Sequence, residues 1–252
     1  TISFQGVKMK QYIVPVLFLF LLARPLAAGP YLDLETGPLF TGFNDVRIPG
    51  KYGTRLSLPG VLGSKPWYFI RIRAGYAIKE QHNISFLAAP LSIDYKGKSS
   101  RPLLFKNRFF FPWVPITATF MFNSYRLTYR YDFIKKEKIE VGIGLTGKIR
   151  HAHIRLHSSG ARTTRPDLGF VPLITMRLQW RFAPPVSLLL DIDWLVGPVG
   201  RAEDALAAIQ YHVNDRVILK AGYRILEGGA DNRKVYTFSL FHYAVFGTTI
   251  LF

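Results

Sequence analysis

Apolar and polar residues alternate with a period of two along most of the chain after residue 29. In the segment Trp67–Lys79, for example, Ile70 and Ile72 share one face while Arg71 and Arg73 share the other. Successive side chains of a β-strand point to opposite faces, so this period indicates strands. No window after residue 29 keeps apolar residues at helical spacing for three turns, which predicts an all-β protein.

Turn-forming residues divide the alternating pattern into ten predicted strands in a single domain, with eight or twelve as alternatives. The predicted strands are Tyr31–Phe43, Trp67–Lys79, Asn83–Tyr95, Thr117–Ile134, Lys138–Leu156, Gly169–Phe182, Val186–Val196, Ala205–Val213, Arg216–Leu226 and Val235–Phe252. Two points stay open: the third strand could continue into Leu103–Phe111, and Ala202–Tyr211 has a helix-forming composition.

The predicted connections are short and long in alternation. Those after the second, fourth, sixth and eighth strands are short, whereas the others are mostly longer. The longer ones are Asn44–Pro66, Lys96–Pro102 with Pro112–Pro115, His157–Leu168, Gly197–Asp204 and Glu227–Lys234. Transmembrane β-barrels have tight periplasmic turns and longer external loops. The pattern therefore predicts a closed, antiparallel, up-and-down transmembrane β-barrel.

The two faces of the predicted strands differ in polarity, since one is apolar and the other carries most of the charges. A charged side chain facing lipid costs about 2–4 kcal/mol near the bilayer midplane, so the charged face is expected to line the lumen. The predicted lumen charges are Asp33, Glu35, Arg71, Arg73, Arg126, Arg130, Asp132, Glu140, Lys148, Arg177, Arg181, Asp191, Asp193, Lys220 and Arg224. They predict either a largely plugged, salt-bridged interior or a narrow pore that favours anions.

The amino-terminal segment has the features of a secretory signal. Lys10 precedes the apolar run Tyr12–Leu22, and Leu26-Ala27-Ala28 forms a zone of small residues suited to cleavage. We therefore expect residues 1–8 to be upstream translation, residues 9–28 a signal peptide and residues 29–252 the barrel. The chain has no cysteine, so it can form neither disulfides nor thiolate metal sites.

The charge balance is strongly basic, with 33 Lys and Arg against 16 Asp and Glu. Export makes nucleic acid a poor partner, whereas lipopolysaccharide offers phosphates that arginine and lysine bind. The first three external loops contain almost no acids. The basic residues expected to face lipopolysaccharide are Arg47, Lys51, Arg55, Lys96, Lys98, Arg101, Arg162 and Arg165.

The sequence His157-Ser158-Ser159 resembles the His-x-Ser core of the outer-membrane lipid A deacylases. That resemblance implies His157 as the base, Ser159 as the nucleophile and Asp167 as the acid that orients the histidine. A polar loop start explains the same residues.

Two further groups of residues have types that occur in metal sites and in protease active sites. His151 and His153 share one strand face, but Arg150 and Arg155 would repel a metal ion, so no metal or cofactor is predicted. The strand count is also similar to that of the omptin proteases, whose acidic and histidine residue types occur here as Asp191, Asp193, Asp204 and His212.

The carboxyl-terminal strand resembles the closing strand of bacterial outer-membrane β-barrels. Phe246, Ile250 and Phe252 share one face, and the resemblance implies that the barrel-assembly machinery recognises them. The phrases FNSYRLTYRY, GFVPL and GRAEDA are also similar to those of proteobacterial outer-membrane barrels without an assigned activity. The opposite face of this strand is apolar, which predicts either a bulge near His242, the preferred interpretation, or an apolar part of the lumen that could hold a lipid chain.

These features predict an integral protein of the bacterial outer membrane with a structural or interaction role, or with narrow passage of small solutes. Its expected partners are membrane lipid, lipopolysaccharide and the assembly machinery, while the sequence leaves the oligomeric state open. The alternatives are a hydrolase that modifies lipid A and a narrow channel that favours anions.

Overall fold

The computed structural model describes residues 29–79, 81–198 and 200–252, so the predicted signal segment, residues 9–28, lies outside the described residues, as do residues 1–8. The elements are β1 (Pro30–Arg47), β2 (Leu56–Ser57), α1 (Leu58–Leu62), β3 (Trp67–Ile78), β4 (His82–Ala89), β5 (Ser92–Lys98), β6 (Leu103–Phe105), β7 (Arg108–Phe110), β8 (Pro115–Lys135), β9 (Ile139–Ser158), β10 (Ala161–Ala183), β11 (Val186–Gly197), β12 (Gly200–His212), β13 (Val217–Asp231) and β14 (Tyr236–Leu251). Among these residues no helix is long and apolar enough to span a membrane.

The strands close into an antiparallel barrel, which confirms the predicted fold. The barrel has ten strand positions around its circumference, and each position is called a stave. Sequential staves pair with one another, and β14 pairs with β1 to complete the circle. β4 and β5 together form one stave, because both pair with β8. Closure satisfies the backbone groups that an open sheet edge would leave unpaired in lipid.

The structure decides the secondary structure of two stretches for which the sequence allows alternatives. The third predicted strand is interrupted at Pro90 and Leu91, where a proline cannot donate a ladder hydrogen bond. It does not continue into Leu103–Phe111, because β6 and β7 form a separate hairpin beside the barrel. The segment Ala202–Tyr211 is strand, as part of β12, because its partners β11 and β13 impose the pairing despite its helix-forming composition.

The predicted long connections after the fifth, seventh and ninth strands are wrong in extent. β9 and β10 pair along their whole length as far as Ser158 and Ala161, so most of His157–Leu168 is strand. Only Ser159 and Gly160 form the turn, and the φ of Gly160 is +81°, a backbone angle that favours glycine. The residues are polar because these strands rise above the lipid, where polar side chains face water.

The barrel surface is apolar outside and charged inside, as in a membrane barrel. On β8, Leu127 faces outward with 61% of its surface exposed, whereas its neighbour Arg126 faces the lumen and is 1% exposed. Leu145 and Phe170 continue the outer apolar band on β9 and β10. In a soluble barrel the apolar face would be inside, so this arrangement requires lipid around the outer wall.

An apolar core, to which the first loop contributes, occupies much of the external half of the lumen. Leu58 and Leu62 of α1 are buried in this core, together with Tyr95 of β5. The hairpin formed by β6 and β7 adds Phe110, which is also buried. The loop that follows β1 therefore folds into the barrel and narrows its external half.

The apolar inner face of β14 is a feature of the lumen itself. Phe241 and Tyr243 point inward and are buried in the apolar core. A bulge does occur close to His242, but it lies on β1, between Thr41 and Phe43, and β14 keeps its alternation. The predicted bulge near His242 is therefore present, on the neighbouring strand, but it does not turn this face out of the lumen, and part of the lumen is apolar.

Candidate functional site in the barrel lumen

A network of ion pairs crosses the lumen at its mid-height, with Asp204 of β12 at its centre. One carboxylate oxygen of Asp204 accepts hydrogen bonds from Arg126 at 2.6 Å and Arg71 at 3.0 Å. The other accepts a bond from Arg224. Arg126 also donates to Asp193 at 2.6 Å, so this single guanidinium bridges two carboxylates on neighbouring strands.

Glu35 of β1 extends the network to the closing strands. Lys220 donates to Glu35 at 2.7 Å and to Asp33 at 2.8 Å. Arg224 donates to both carboxylate oxygens of Glu35, at 2.9 and 2.8 Å, and thereby joins this group to Asp204. We call the connected set the charge network; it comprises Asp33, Glu35, Arg71, Arg126, Asp193, Asp204, Lys220 and Arg224.

Acids and bases are equal in number in the charge network, which therefore needs no external counter-ion. Two further pairs lie beside it: Arg73 with Asp191 at 2.7 Å, and Arg130 with Asp132 at 2.6 Å. Buried charges are tolerated only when they are paired and hydrogen-bonded. The lumen at this height is closed by neutralised side chains.

Of the four remaining predicted lumen charges, Glu140, Arg177 and Arg181 lie closer to the end of the barrel that carries both termini and the short turns, which is the periplasmic end in such barrels. Glu140 pairs with Lys135 at 3.0 Å, and both side chains are partly exposed. Arg177 and Arg181 line a cavity of about 590 Å³ there, between the turn residues and the charge network. Lys148, by contrast, lies above the network.

Asp204 is not among the predicted lumen charges, because it falls at the end of the predicted connection Gly197–Asp204. The missed signal is the alternation that follows it: Asp204, Leu206 and Ala208 are buried on the inner face of β12.

A second cavity, of about 210 Å³, lies between the charge network and the external turns. We call it the upper cavity. Most of its wall area is apolar and belongs to residues that include Phe120, Phe122, Ile154, Val171, Leu226, Val235 and Phe241. Charged side chains line it as well, among them Arg150, Arg165, Asp167, Arg201 and Glu227. Lys148 lines its wall from β9 and is 3% exposed. Asn232 and Lys234, next to the β13–β14 turn, line its external end.

A group of basic side chains lies on the outside of the barrel, above the apolar band. Some of them are among the residues predicted to face lipopolysaccharide and others are not. Lys96 of β5, Thr117 of β8, His157 of β9 and Arg162 of β10 lie in one row across four paired strands. Arg155 lies one step nearer the lipid. We call Lys96, Lys98, Arg155, His157 and Arg162 the outer basic surface.

The other basic residues predicted to face lipopolysaccharide have different surroundings. Arg47 and Arg55 stack against the ring of Tyr236 at 5.1 and 5.0 Å, and Arg55 pairs with Asp45 at 2.7 Å. Lys51 and Arg101 are exposed. Arg165 lines the upper cavity, so its predicted position on the outside is wrong; β10 turns this residue inward opposite Ile154.

The deacylase-like residues are not brought together. His157 lies on the outer face of β9, whereas Asp167 lines the upper cavity and pairs with Arg150 at 2.5 Å. Ser159 lies in the exposed turn between β9 and β10. An acid inside the barrel cannot orient a histidine on the outside, so these residues do not form a catalytic triad.

The omptin-like residue types are also dispersed or occupied. Asp191, Asp193 and Asp204 are held in ion pairs within the lumen. His212 lies at the periplasmic end of β12, where its Nε2 is 3.0 Å from Ser187 Oγ. The described part of the chain contains no group of three or more His, Cys, Asp or Glu side chains that could hold a metal ion.

Phe246 and Phe252, part of the predicted assembly signal with Ile250, are exposed on the lipid-facing side of the closing strand. Their recognition by assembly machinery stays a prediction.

Comparisons with solved structures found several outer-membrane barrels. The Neisserial surface protein A is 16% identical, with a TM-score of 0.37, over 89% of this chain and 99% of that one. The outer-membrane protease OmpT of Escherichia coli is 12% identical, with a TM-score of 0.49, over 88% and 96%. The toluene transporter TodX of Pseudomonas putida is 10% identical, with a TM-score of 0.38, over 91% and 90%. No family model matches the chain, and the search of curated proteins found no match.

At these levels of similarity, no activity of the compared proteins transfers to this chain. Its own architecture is more informative: ten staves in a closed circle, an apolar outer band and a paired, charged interior. With these features the chain is an integral β-barrel protein of the bacterial outer membrane.

Proposed function

We propose that this protein is a non-conducting outer-membrane barrel that interacts with lipopolysaccharide through the outer basic surface. The observation that carries the proposal is the position of that surface directly above the lipid-facing band. Leu168, which is 74% exposed and belongs to the apolar band, pairs with His151, whereas His157 lies six residues further along β9. Six residues of a tilted strand correspond to a height of roughly 15 Å above the apolar band, where phosphate-bearing headgroups lie.

The spacing within the outer basic surface suits more than one phosphate. Lys96 and Arg162 lie on staves separated by three strand-to-strand steps, or about 14 Å. Arg155 lies between them on β9. Arginine donates to phosphate in bidentate fashion, and lysine acts as a point charge, so the three could bind two separate phosphates of one lipid or of neighbouring lipids.

Asp94 lies close to the outer basic surface but does little to neutralise its positive charge. Asp94 faces outward on β5 and accepts a hydrogen bond from Thr119 at 2.7 Å. It forms no ion pair with the basic residues around it among the described side chains. The surface therefore keeps a net positive charge, which favours an anionic lipid.

Replacing Lys96, Arg155 and Arg162 together by glutamine is expected to weaken binding of purified lipopolysaccharide by about 100-fold at low salt, since each cation near an anionic membrane surface contributes about 1 kcal/mol. The measurement is a titration of the detergent-folded barrel with lipopolysaccharide, repeated at increasing salt. The matched control replaces Lys135, Arg177 and Arg181 at the periplasmic end, which removes the same net charge. Equal weakening in both variants would show that only total charge matters and would contradict the proposal.

The closed lumen supports the non-conducting part of the proposal. The wild-type barrel is expected to give no steady current steps in planar lipid bilayers, because the charge network and the external apolar core both block the path. A known porin reconstituted in the same bilayers provides the positive control. Reproducible ohmic steps with a preference for anions would favour the channel alternative instead.

A further inference from the structure

The upper cavity combines an apolar lining with a buried cation that lacks a counter-charge. Among the described residues, Lys148 belongs to no ion pair with a carboxylate, although it is almost fully buried. Its Nζ lies 4.8 Å from the centre of the Phe122 ring, a cation–π contact that compensates only part of the lost hydration. A ligand that brings a negative charge would complete the pairing.

Two arginines that line the upper cavity are already paired with acids of its wall. Arg150 binds Asp167 at 2.5 Å, and Arg201 binds Glu227. Arg126 on β8 is the register neighbour of Lys148 on β9. Its side chain donates to Asp193 and Asp204, which lie below the cavity. The acids that line the cavity or lie beneath it are therefore occupied by arginines. Arg165 and Lys234 also line the cavity and form no ion pair among the described residues, but Arg165 is only partly buried and Lys234 is exposed. Lys148 is thus the buried cation of the cavity wall that lacks a counter-charge.

The size and lining of the upper cavity restrict the ligand. A cavity of about 150 Å³ lined by apolar side chains binds benzene, so one of 210 Å³ has space for about one ring and a short acidic chain. Phe120, Phe122 and Phe241 supply aromatic contacts for such a ring. The external end, at Asn232 and Lys234, provides the side from which a ligand would enter.

We propose that the upper cavity is a binding site for a small amphipathic carboxylate, with its apolar body against the phenylalanines and its carboxylate paired with Lys148. The site lies inside the barrel and is separate from the outer basic surface, so this proposal does not depend on lipopolysaccharide binding. It uses the apolar inner face of β14, which the closing strand contributes through Phe241.

The test uses 4-fluorophenylacetate as the probe and its uncharged amide as the neutral analogue, both soluble enough to limit partition into micelles. Ligand-observed fluorine NMR with the detergent-folded protein gives the affinity of each. We expect the carboxylate to bind at least about tenfold more tightly than the amide, because a charge-assisted hydrogen bond is lost with the amide. Equal affinity of the two compounds would overturn the proposal.

Two variants locate the binding. Lys148→Met should abolish the preference for the carboxylate without lowering thermal stability, since it removes an unpaired buried charge. Val171→Phe should exclude both compounds by filling the upper cavity while it keeps Lys148. Lys136→Met, in the turn between β8 and β9, is the matched control and should bind like the wild type. Unchanged carboxylate binding by Lys148→Met, or by Val171→Phe, would place the probe elsewhere and overturn the proposal.

Discussion

Replacing Asp204 by asparagine is expected to lower the free energy of unfolding of the barrel by about 3–5 kcal/mol, the range observed when one partner of a buried ion pair is removed. Asp204 binds Arg71, Arg126 and Arg224, so its loss leaves three buried guanidinium groups with less negative charge between them. Urea unfolding of the barrel in lipid vesicles, followed by tryptophan fluorescence, measures the change. Heat-dependent gel migration gives an independent measure of the folded fraction.

Asp215→Asn is the matched control for Asp204→Asn. Asp215 is exposed in the turn between β12 and β13, so the same chemical change there should alter stability by less than about 0.5 kcal/mol. Adding Arg71→Met to Asp204→Asn should restore part of the lost stability, because a cation is removed together with its acid while Glu35, the other partner of Arg71, keeps Lys220 and Arg224. An Asp204→Asn barrel as stable as the wild type would mean that water, rather than these arginines, solvates the carboxylate.

Replacing Leu127 by arginine is expected to destabilise the membrane-inserted barrel by about 2–4 kcal/mol, because the new charge would face lipid near the middle of the apolar band. Leu127 lies between Phe86 of β4 and Gly147 of β9 on the outer wall. The same unfolding measurement in vesicles gives the cost.

The control for Leu127→Arg lies on the same strand and the same face. Thr117→Arg adds a charge at the level of the outer basic surface, above the lipid, where the cost should fall to about 0–1 kcal/mol. Equal costs at Leu127 and Thr117 would mean that the apolar band does not end between them, and the assigned membrane boundary would be wrong.

The sequence predicts the fold well because its information is local. In β3 and β8 the alternation alone separates residues such as Arg71 and Arg126 from outward residues such as Ile72 and Leu127, and the structure agrees. The alternation shows which residues share a face of the strand. The cost of a charge in lipid then shows which of the two faces is inside the barrel.

Other features depend on partners that alternation cannot identify. Asp204 falls in a predicted loop, because a stretch of polar residues is compatible both with a loop and with a strand above the membrane. The isolation of Lys148 from carboxylates depends on which arginines bind Asp167, Asp193 and Asp204 across the lumen. The burial of α1 within the barrel depends on tertiary packing, because a helix of so few residues has no periodic pattern from which its position could be predicted.

The charge network also selects the register in which the barrel closes. Glu35 meets Lys220 and Arg224 across the β1–β14 seam, although these residues are 185 and 189 positions apart in the chain. A one-residue slip of β1 would turn Asp33 and Glu35 toward lipid, and a two-residue slip would separate them from their cations. The interior charges thus distinguish the correct closure from its nearest competitors, and they can form their full set of bonds only after the first and last strands have met.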